Sequence, residues 1–115
     1  MPDGVKWAPC FGYTMESVLA PISDSISSIE SSSVRELIES LANALDSLRA
    51  NGTITNDAYL DAGAIQGGMM MIANLIDAGI DRKELAEHMS ALLSRSQRVE
   101  ESHPGLGASI ESALS

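Results

Sequence analysis

The chain has 115 residues and a net charge of −9, with 44% hydrophobic but only 3% aromatic residues. This length fits one hydrophobic core, and the apolar content excludes an intrinsically disordered chain. Because binding to a phosphate backbone needs a cationic surface, the acidic balance argues against direct nucleic-acid binding. A core with so few aromatic residues must be built from leucine, isoleucine, alanine and methionine, which favours helices over strands.

Cys10 is the only cysteine in the sequence, so neither an intramolecular disulfide nor a multi-cysteine zinc site is possible. The N-terminal segment contains several acids and no continuous apolar run, so it does not resemble a signal peptide. The strongest apolar stretch, residues 62–73, is shorter than the about 20 residues needed to cross a bilayer. We therefore expect a soluble protein of a reducing, cytoplasmic compartment, with no membrane span.

Residues 1–13 carry prolines and glycines that interrupt regular structure too often for a helix or a strand. They also hold Trp7, Phe11 and Tyr13, which leaves Tyr59 as the one aromatic residue in the rest of the chain. We predict an ordered N-terminal arm whose aromatic side chains dock on the bundle, because they would otherwise expose a large apolar surface to water.

The first predicted helix covers residues 14–31, where apolar side chains recur every three or four positions. Pro21 lacks a backbone donor and lies inside this pattern. The helix is therefore expected either to bend at Pro21 or to begin near Ala20, with its first turn separate.

The second predicted helix covers residues 33–50. Ser33 and Glu36 have the spacing of a capping box, in which the serine hydroxyl and the glutamate each satisfy a free backbone amide. Asn51 and Gly52 provide a left-handed stop. Leucines at helical spacing between these two signals predict an amphipathic helix.

The third predicted helix covers residues 56–78 and is followed by Gly79 as its stop. Residues 55–57 are all favourable N-caps. Few strongly polar residues lie between the two ends, so the helix is apolar on nearly all sides. Such a helix is buried by several neighbours or by another subunit.

The fourth predicted helix covers residues 81–101, and the tail that follows has apolar residues at intervals of four. Together these elements predict an all-α fold, a compact bundle of four main helices joined by short turns. We expect one helical domain over residues 1–115, with an N-terminal arm (1–13), the helical bundle (14–101) and a short amphipathic C-terminal tail (102–115).

Gly63, Gly67 and Gly68 place small residues on the third predicted helix, at a cost of roughly 0.5–1 kcal/mol each relative to alanine. Three arrangements can offset this cost. The helix can cross a neighbour closely inside the protomer, or it can contact a second protomer. It can also break at Gly67 and Gly68 to receive a ligand or partner.

Met69, Met70 and Met71 follow directly, and consecutive residues on a helix diverge by about 100°. They therefore point in different directions and cannot converge on one copper ion. Flexible thioethers fill irregular gaps in a core or line an adaptable binding groove.

The sequence offers no convincing catalytic group. Cys10 as a nucleophile would need His88 or His103 as its base, and nothing local positions either histidine near it. There is no nucleophile elbow, nucleotide-binding fingerprint, calcium loop or set of paired carboxylate and histidine ligands. We therefore expect no catalytic, metal or cofactor site, and a protein that is not an enzyme.

The leading interpretation is a non-enzymatic protein–protein interaction module, homo-oligomeric, that acts through an apolar groove around the third helix. One alternative is a small-ligand-binding or sensor bundle, with a pocket lined by residues 69–72 and closed by the aromatic arm. Another is an acidic inhibitor or nucleic-acid mimic that caps a basic partner. The candidate interaction residues are Gly63, Gly67, Met70, Met71, Tyr59, Trp7 and Phe11.

Overall fold

The computed structural model describes residues 13–114, which form helices and no strand. In chain order the helices are α1 (Met15–Val18), α2 (Ala20–Ser23), α3 (Ser31–Ala50), α4 (Asn56–Asp77), α5 (Arg82–Ser102) and α6 (Leu106–Leu114). The predicted all-α bundle is confirmed. The predicted N-terminal arm lies outside the described residues except for Tyr13.

The first predicted helix, over residues 14–31, is wrong as one continuous element. The alternative of a separate first turn with a new start at Ala20 is confirmed, but the predicted end near residue 31 is wrong, because α2 ends at Ser23 and turns follow it. Thr14 caps α1, because its backbone amide donates to the hydroxyl of Ser17 at 2.6 Å and its own hydroxyl accepts from the amide of that residue. A new start follows at α2, whose first turn carries Pro21. A proline is tolerated there because its missing donor would have no partner within the helix.

The start of α3 differs from the predicted capping box. The N-cap is Glu30, which makes no side-chain capping bond, and Ser33 lies inside the helix. The predicted pairing of Ser33 with Glu36 is therefore wrong. The predicted end is confirmed, since α3 stops before Asn51 and Gly52 follows with a φ of +79° that favours glycine.

The predicted boundaries of α4 and α5 hold closely. The hydroxyl of Thr55 accepts from the amide of Ala58 at 3.0 Å, and Asp81 accepts from the amide of Lys83 at 3.1 Å. Each cap satisfies a backbone donor that the helix itself leaves free. Gly79, with a φ of +77°, separates the two helices.

Helix α4 lies between α3 and α5. Its end meets the start of α3 through Asp77 and Arg35, and its start meets the end of α5 through Asp61 and His103. Both neighbours therefore run antiparallel to α4 and parallel to each other. The predicted amphipathic tail forms α6, which packs against α3 and α1.

The core is aliphatic, as the composition predicts. Its largest fully buried side chains come from all six helices and from the residue between α1 and α2: Met15, Val18, Leu19, Ile22, Leu41, Leu45, Ile65, Met69, Ile72, Leu85, Met89 and Ile110. No helix within residues 13–114 has the length and apolar content to cross a membrane.

One carboxylate joins the two ends of the described chain. Glu100, near the end of α5, accepts from the backbone amide of Met15 at 2.9 Å and from those of Gly105 and Gly107 at 2.8 and 3.0 Å. These amides lie at the starts of α1 and α6, where the helix leaves donors unpaired. Gly107 is also tightly packed, because a Cβ there would clash with the backbone of Thr14.

Candidate interaction surface

One face of α4 points away from the other helices and is apolar. Its residues recur at helical spacing and are called here the α4 stripe: Leu60, Gly63, Ala64, Gly67, Met70 and Met71. Leu60 is 59% exposed, Met71 44% and Met70 40%. Within residues 13–114, the only other large apolar side chain with such exposure is Tyr13. The stripe is thus the largest concentration of open apolar side chains in the described fold.

The glycines of α4 separate into two kinds. A Cβ added at Gly63 or Gly67 would meet no atom of residues 13–114 within 4 Å, so neither glycine is needed for a close crossing between the described helices. That expected arrangement is wrong for these two positions. It holds for Gly68, where a Cβ would overlap the end of the buried Leu92 side chain on α5. Helix α4 is continuous through this region, so the expected break at Gly67 and Gly68 is also wrong.

The three consecutive methionines point in different directions, as predicted. Met69 is fully buried in the core, whereas Met70 and Met71 are exposed. The sulfur of Met70 accepts from Arg35 Nη1 at 3.3 Å, which places this side chain at the α3 edge of the stripe. Met71 lies on the open face.

Tyr59 lies beside the stripe rather than on it. Its hydroxyl donates to Asp46 Oδ1 at 2.8 Å, and the Arg49 guanidinium stands 4.1 Å from the ring centroid. The hydrogen bond to Asp46, together with the negative charge of that carboxylate, raises the pKa of Tyr59 above its ordinary value. The side chain therefore helps to hold α3 against α4.

The α3 side of the stripe is tied down by a further cluster. Arg35 forms an ion pair with Asp77 and also donates to Asn74 Oδ1 at 3.1 Å. Ser31 donates to the same carboxyl, and these two hydrogen bonds lower the pKa of Asp77 below its ordinary value. This edge of α4 is consequently closed by α3.

The α5 side of the stripe is open. Arg95 and Arg98 border a groove of about 270 Å³ that also contains Asp61 and Ala64. Both arginines are exposed, and neither has a hydrogen-bond or ion-pair partner among residues 13–114. Other arginines are used within the fold: Arg82, for instance, donates to two backbone carbonyls in the turn before α3.

No family model, curated protein or solved structure matches this chain. The geometry of residues 13–114 is therefore what supports a functional proposal.

A second groove, of about 300 Å³, lies at the end of the bundle where the turn after α5 meets the start of α4. His103 borders it together with Thr55 and Ser109. The His103 ring is held by Asp61 at 2.7 Å, and no hydroxyl among the described residues hydrogen-bonds to it. The lining of this groove is mainly apolar, and within residues 13–114 it contains no nucleophile paired with a base. Nor does any group of three metal-binding side chains occur within residues 13–114.

Two of the predicted interaction residues, Trp7 and Phe11, lie outside the described residues. The structure brings Gly63, Gly67 and Met71 together on one open face, with Met70 at its edge.

Sequence reasoning missed Leu60 on the stripe and the two arginines beside it. Leu60 lies three and seven residues before Gly63 and Gly67, so helical spacing would have found it. Nothing in the sequence signals that Arg95 and Arg98 face α4.

Proposed function

We propose that this chain is a non-enzymatic helical protein–protein interaction module and that it binds a second copy of itself through the α4 stripe. The observation that carries the proposal is the exposure of Leu60, Met70 and Met71 on a helix whose opposite face is packed into the core. Exposed apolar side chains that are contiguous on one face are typical of protein-binding surfaces.

The glycines support the same reading. Gly63 and Gly67 each cost roughly 0.5–1 kcal/mol of helix stability relative to alanine. Among residues 13–114, no atom occupies the space that their missing side chains leave. A helix from outside can use that space, because small residues allow two helix axes to approach to the short end of the about 8–10 Å range.

A second copy is a suitable occupant because the stripe is apolar and presents the same residues to its partner. In a two-fold dimer the same patch is used on both protomers. Burying Leu60, Met70 and Met71 from both copies contributes on the order of 1–2 kcal/mol for each side chain that leaves water. Interfaces also need a bordering polar rim, which the charged residues of α3 and α5 supply.

The two alternatives have less support. The expected ligand pocket was lined by residues 69–72, yet Met69 and Ile72 are fully buried in the core. An acidic mimic needs free carboxylates on one face, whereas Asp46, Asp61 and Asp77 are hydrogen-bonded within the fold. The proposed interaction module accounts for the exposed apolar side chains and the open glycines of the stripe, which neither alternative explains.

The test is the solution mass of the full chain, measured by light scattering over a range of concentrations. We expect a dimer for the parent chain and a folded monomer for Leu60→Glu, because the variant introduces a charge at the most exposed apolar side chain of the proposed contact. The control is Ser112→Glu, which adds the same charge at an exposed position on α6 and should leave the dimer intact.

Circular dichroism of each variant shows whether the helices persist. A parent chain that is monomeric at every concentration would exclude self-association through the stripe. Equal dimerisation of Leu60→Glu and Ser112→Glu would place the contact on another surface.

A further inference from the structure

The groove of about 300 Å³ at the end of the bundle, called here the end groove, is lined by residues 53–55, 58, 103–106 and 109. Its apolar walls come from Ile54 and Ala58 on the α4 side and from Pro104 and Leu106 on the α6 side. The volume is at the lower end of the about 300–1,000 Å³ that small-molecule pockets occupy. The end groove is therefore of a size that suits a single large apolar side chain.

The described chain begins beside this groove. The backbone of Thr14 packs so closely against Gly107 that a Cβ on this glycine would clash with it. Glu100 holds the same contact, because its carboxylate accepts from the amides of both Met15 and Gly107. Leu106, which precedes this glycine, lines the end groove, and consecutive Cα atoms are only about 3.8 Å apart. The N-terminal arm therefore joins the fold a short distance from the groove.

Gly105 leaves the way from Thr14 to the end groove open. It lines the groove, and a Cβ added to it would meet no atom of residues 13–114 within 4 Å. Its φ of +90° also favours glycine at this position. A chain that enters at Thr14 can consequently pass in front of this turn and reach the groove.

The length of the arm selects which of its aromatic residues can occupy the groove. An extended chain spans at most about 3.3–3.6 Å per residue. Phe11 is two residues before Tyr13, so its Cα lies within about 7 Å of the Tyr13 Cα. Trp7 is six residues before Tyr13 and can lie up to about 20 Å away, which exceeds the width of a groove of this volume. Of the two, Trp7 has the greater freedom to reach the far wall.

The chemistry of the lining also favours Trp7. An indole ring is apolar except for one N–H donor, and a buried tryptophan usually finds an acceptor for it. Thr53 and Ser109 contribute hydroxyl groups to the lining of the end groove, and each hydroxyl can accept a hydrogen bond. Phe11 has no donor to use there. Apolar walls with hydroxyl groups at their border therefore match an indole.

We propose that Trp7 docks in the end groove of its own protomer, so that this groove is a binding site for an indole side chain. Docking removes the aromatic ring from water, covers the apolar lining and links the arm to the starts of α4 and α6. The inference goes beyond the proposed function and does not depend on it, because the α4 stripe is a separate surface on the outer face of α4.

Fluorescence of the full chain tests the docking, since Trp7 is the only tryptophan. We expect an emission maximum at a shorter wavelength than that of free tryptophan and weak quenching by acrylamide. Ser109→Arg places a long side chain at a half-buried position in the groove lining. This variant should shift the emission towards that of free tryptophan and increase the quenching.

The matched control is Ser112→Arg, which adds the same side chain at an exposed position of α6 outside the groove lining. It should leave the emission and the quenching unchanged, and circular dichroism checks that both variants remain helical. A parent chain whose emission equals that of free tryptophan would overturn the inference. So would an equal response of the two variants.

A nitroxide label tests the location, because it quenches tryptophan fluorescence only at short range. In a full chain with Cys10→Ser, the label is attached at Thr53→Cys, on the border of the end groove, or at Met71→Cys, on the stripe. Both positions are exposed. Each labelled chain is diluted into an excess of unlabelled Trp7→Phe chain, so that quenching between protomers does not contribute. We expect the label at position 53 to cause the greater loss of emission.

Two results of the labelling would overturn the inference. Quenching from position 71 that equals or exceeds quenching from position 53 would place Trp7 on the stripe. Quenching from position 53 that disappears on dilution would mean that Trp7 docks on a second copy instead of its own protomer.

Discussion

The two faces of α4 contain the same residue types but differ in burial. The inner face carries Met69 and Gly68. Met69 is buried in the core, and Gly68 packs against the side chain of Leu92. The outer face carries Met71 and Gly67, and both are open to solvent in the protomer. Neighbouring residues of identical type thus differ only in where the helix turns them. The composition shows that α4 is apolar, but only the packing shows which of its faces is buried.

The sharpest way to break this comparison is to truncate one methionine on each face. Met69→Ala should lower the free energy of unfolding by about 2–5 kcal/mol, because it leaves a cavity in a closed core. Met71→Ala should change it by less than about 0.5 kcal/mol, as for ordinary surface positions. Urea denaturation in the Leu60→Glu background measures the protomer without self-association. Equal losses at the two positions would show that the outer face is not open.

The adjacent glycines give the next largest effect, and the two faces should respond with opposite signs. Gly67→Ala should stabilise the protomer by roughly 0.5–1 kcal/mol, since helix propensity rises and the added methyl group meets no neighbour. Gly68→Ala gains the same propensity but overpacks Leu92, which typically costs about 1–3 kcal/mol, so a net loss is expected. Thermal unfolding of both variants, again with Leu60→Glu, decides the signs. Stabilisation by Gly68→Ala would mean that Leu92 moves aside easily.

The comparison extends to the ends of the helices. Thr55→Ala removes the hydroxyl that caps α4 and should cost about 1 kcal/mol. Ser33→Ala should cost nothing, because Ser33 lies inside α3, where alanine is the better helix former. The melting temperatures of the two variants measure these two contributions. A loss at Ser33 as large as that at Thr55 would restore the predicted capping box.

The smallest effect concerns the ion pair that closes the α3 edge of the stripe. Folding lowers the pKa of Asp77 below its ordinary value of 3.8, through hydrogen bonds from Ser31 and Arg35. The carboxylate therefore contributes stability above that ordinary value, and this contribution is lost as the pH falls through the lowered folded pKa. Asp77→Asn should melt slightly earlier than the parent at neutral pH and like the parent in strong acid. A difference in melting temperature between Asp77→Asn and the parent that persists unchanged in strong acid would mean that the side-chain shape, and not its charge, causes the loss.

Local signals predicted much of the fold. Thr55, Asp81 and Gly79 act within one helical turn of their own position, so the sequence alone locates the ends of α4 and α5. The predicted capping box of Ser33 and Glu36 is wrong because the serines before Ser33 can also adopt helical geometry. Helix α3 therefore begins two residues earlier than predicted. The split at Leu19 was one of two outcomes that Pro21 allows, and only packing distinguishes them.

The candidate surface was less accessible from sequence. Gly67 and Met71 were found as part of a helix that is apolar all round, but periodicity cannot separate two apolar faces. Arg95 and Arg98 became relevant only when the antiparallel packing of α5 placed them beside Ala64. Tyr59 was predicted to be an interaction residue, whereas in the structure its hydroxyl donates a hydrogen bond to Asp46 on α3.

Glu100 has a consequence for the order in which the chain folds. The amide of Met15 lies 85 residues away from the carboxylate that accepts its hydrogen bond, whereas neighbouring long helices meet across short turns. Closing a long loop costs more chain entropy than closing a short one, so the long helices can associate before the ends are brought together. The starts of α1 and α6 then share one acceptor, and release of either end leaves the other less restrained. In native-state hydrogen exchange, the amides of Met15 and Gly107 should consequently open together, at a lower free energy than those in the middle of α4.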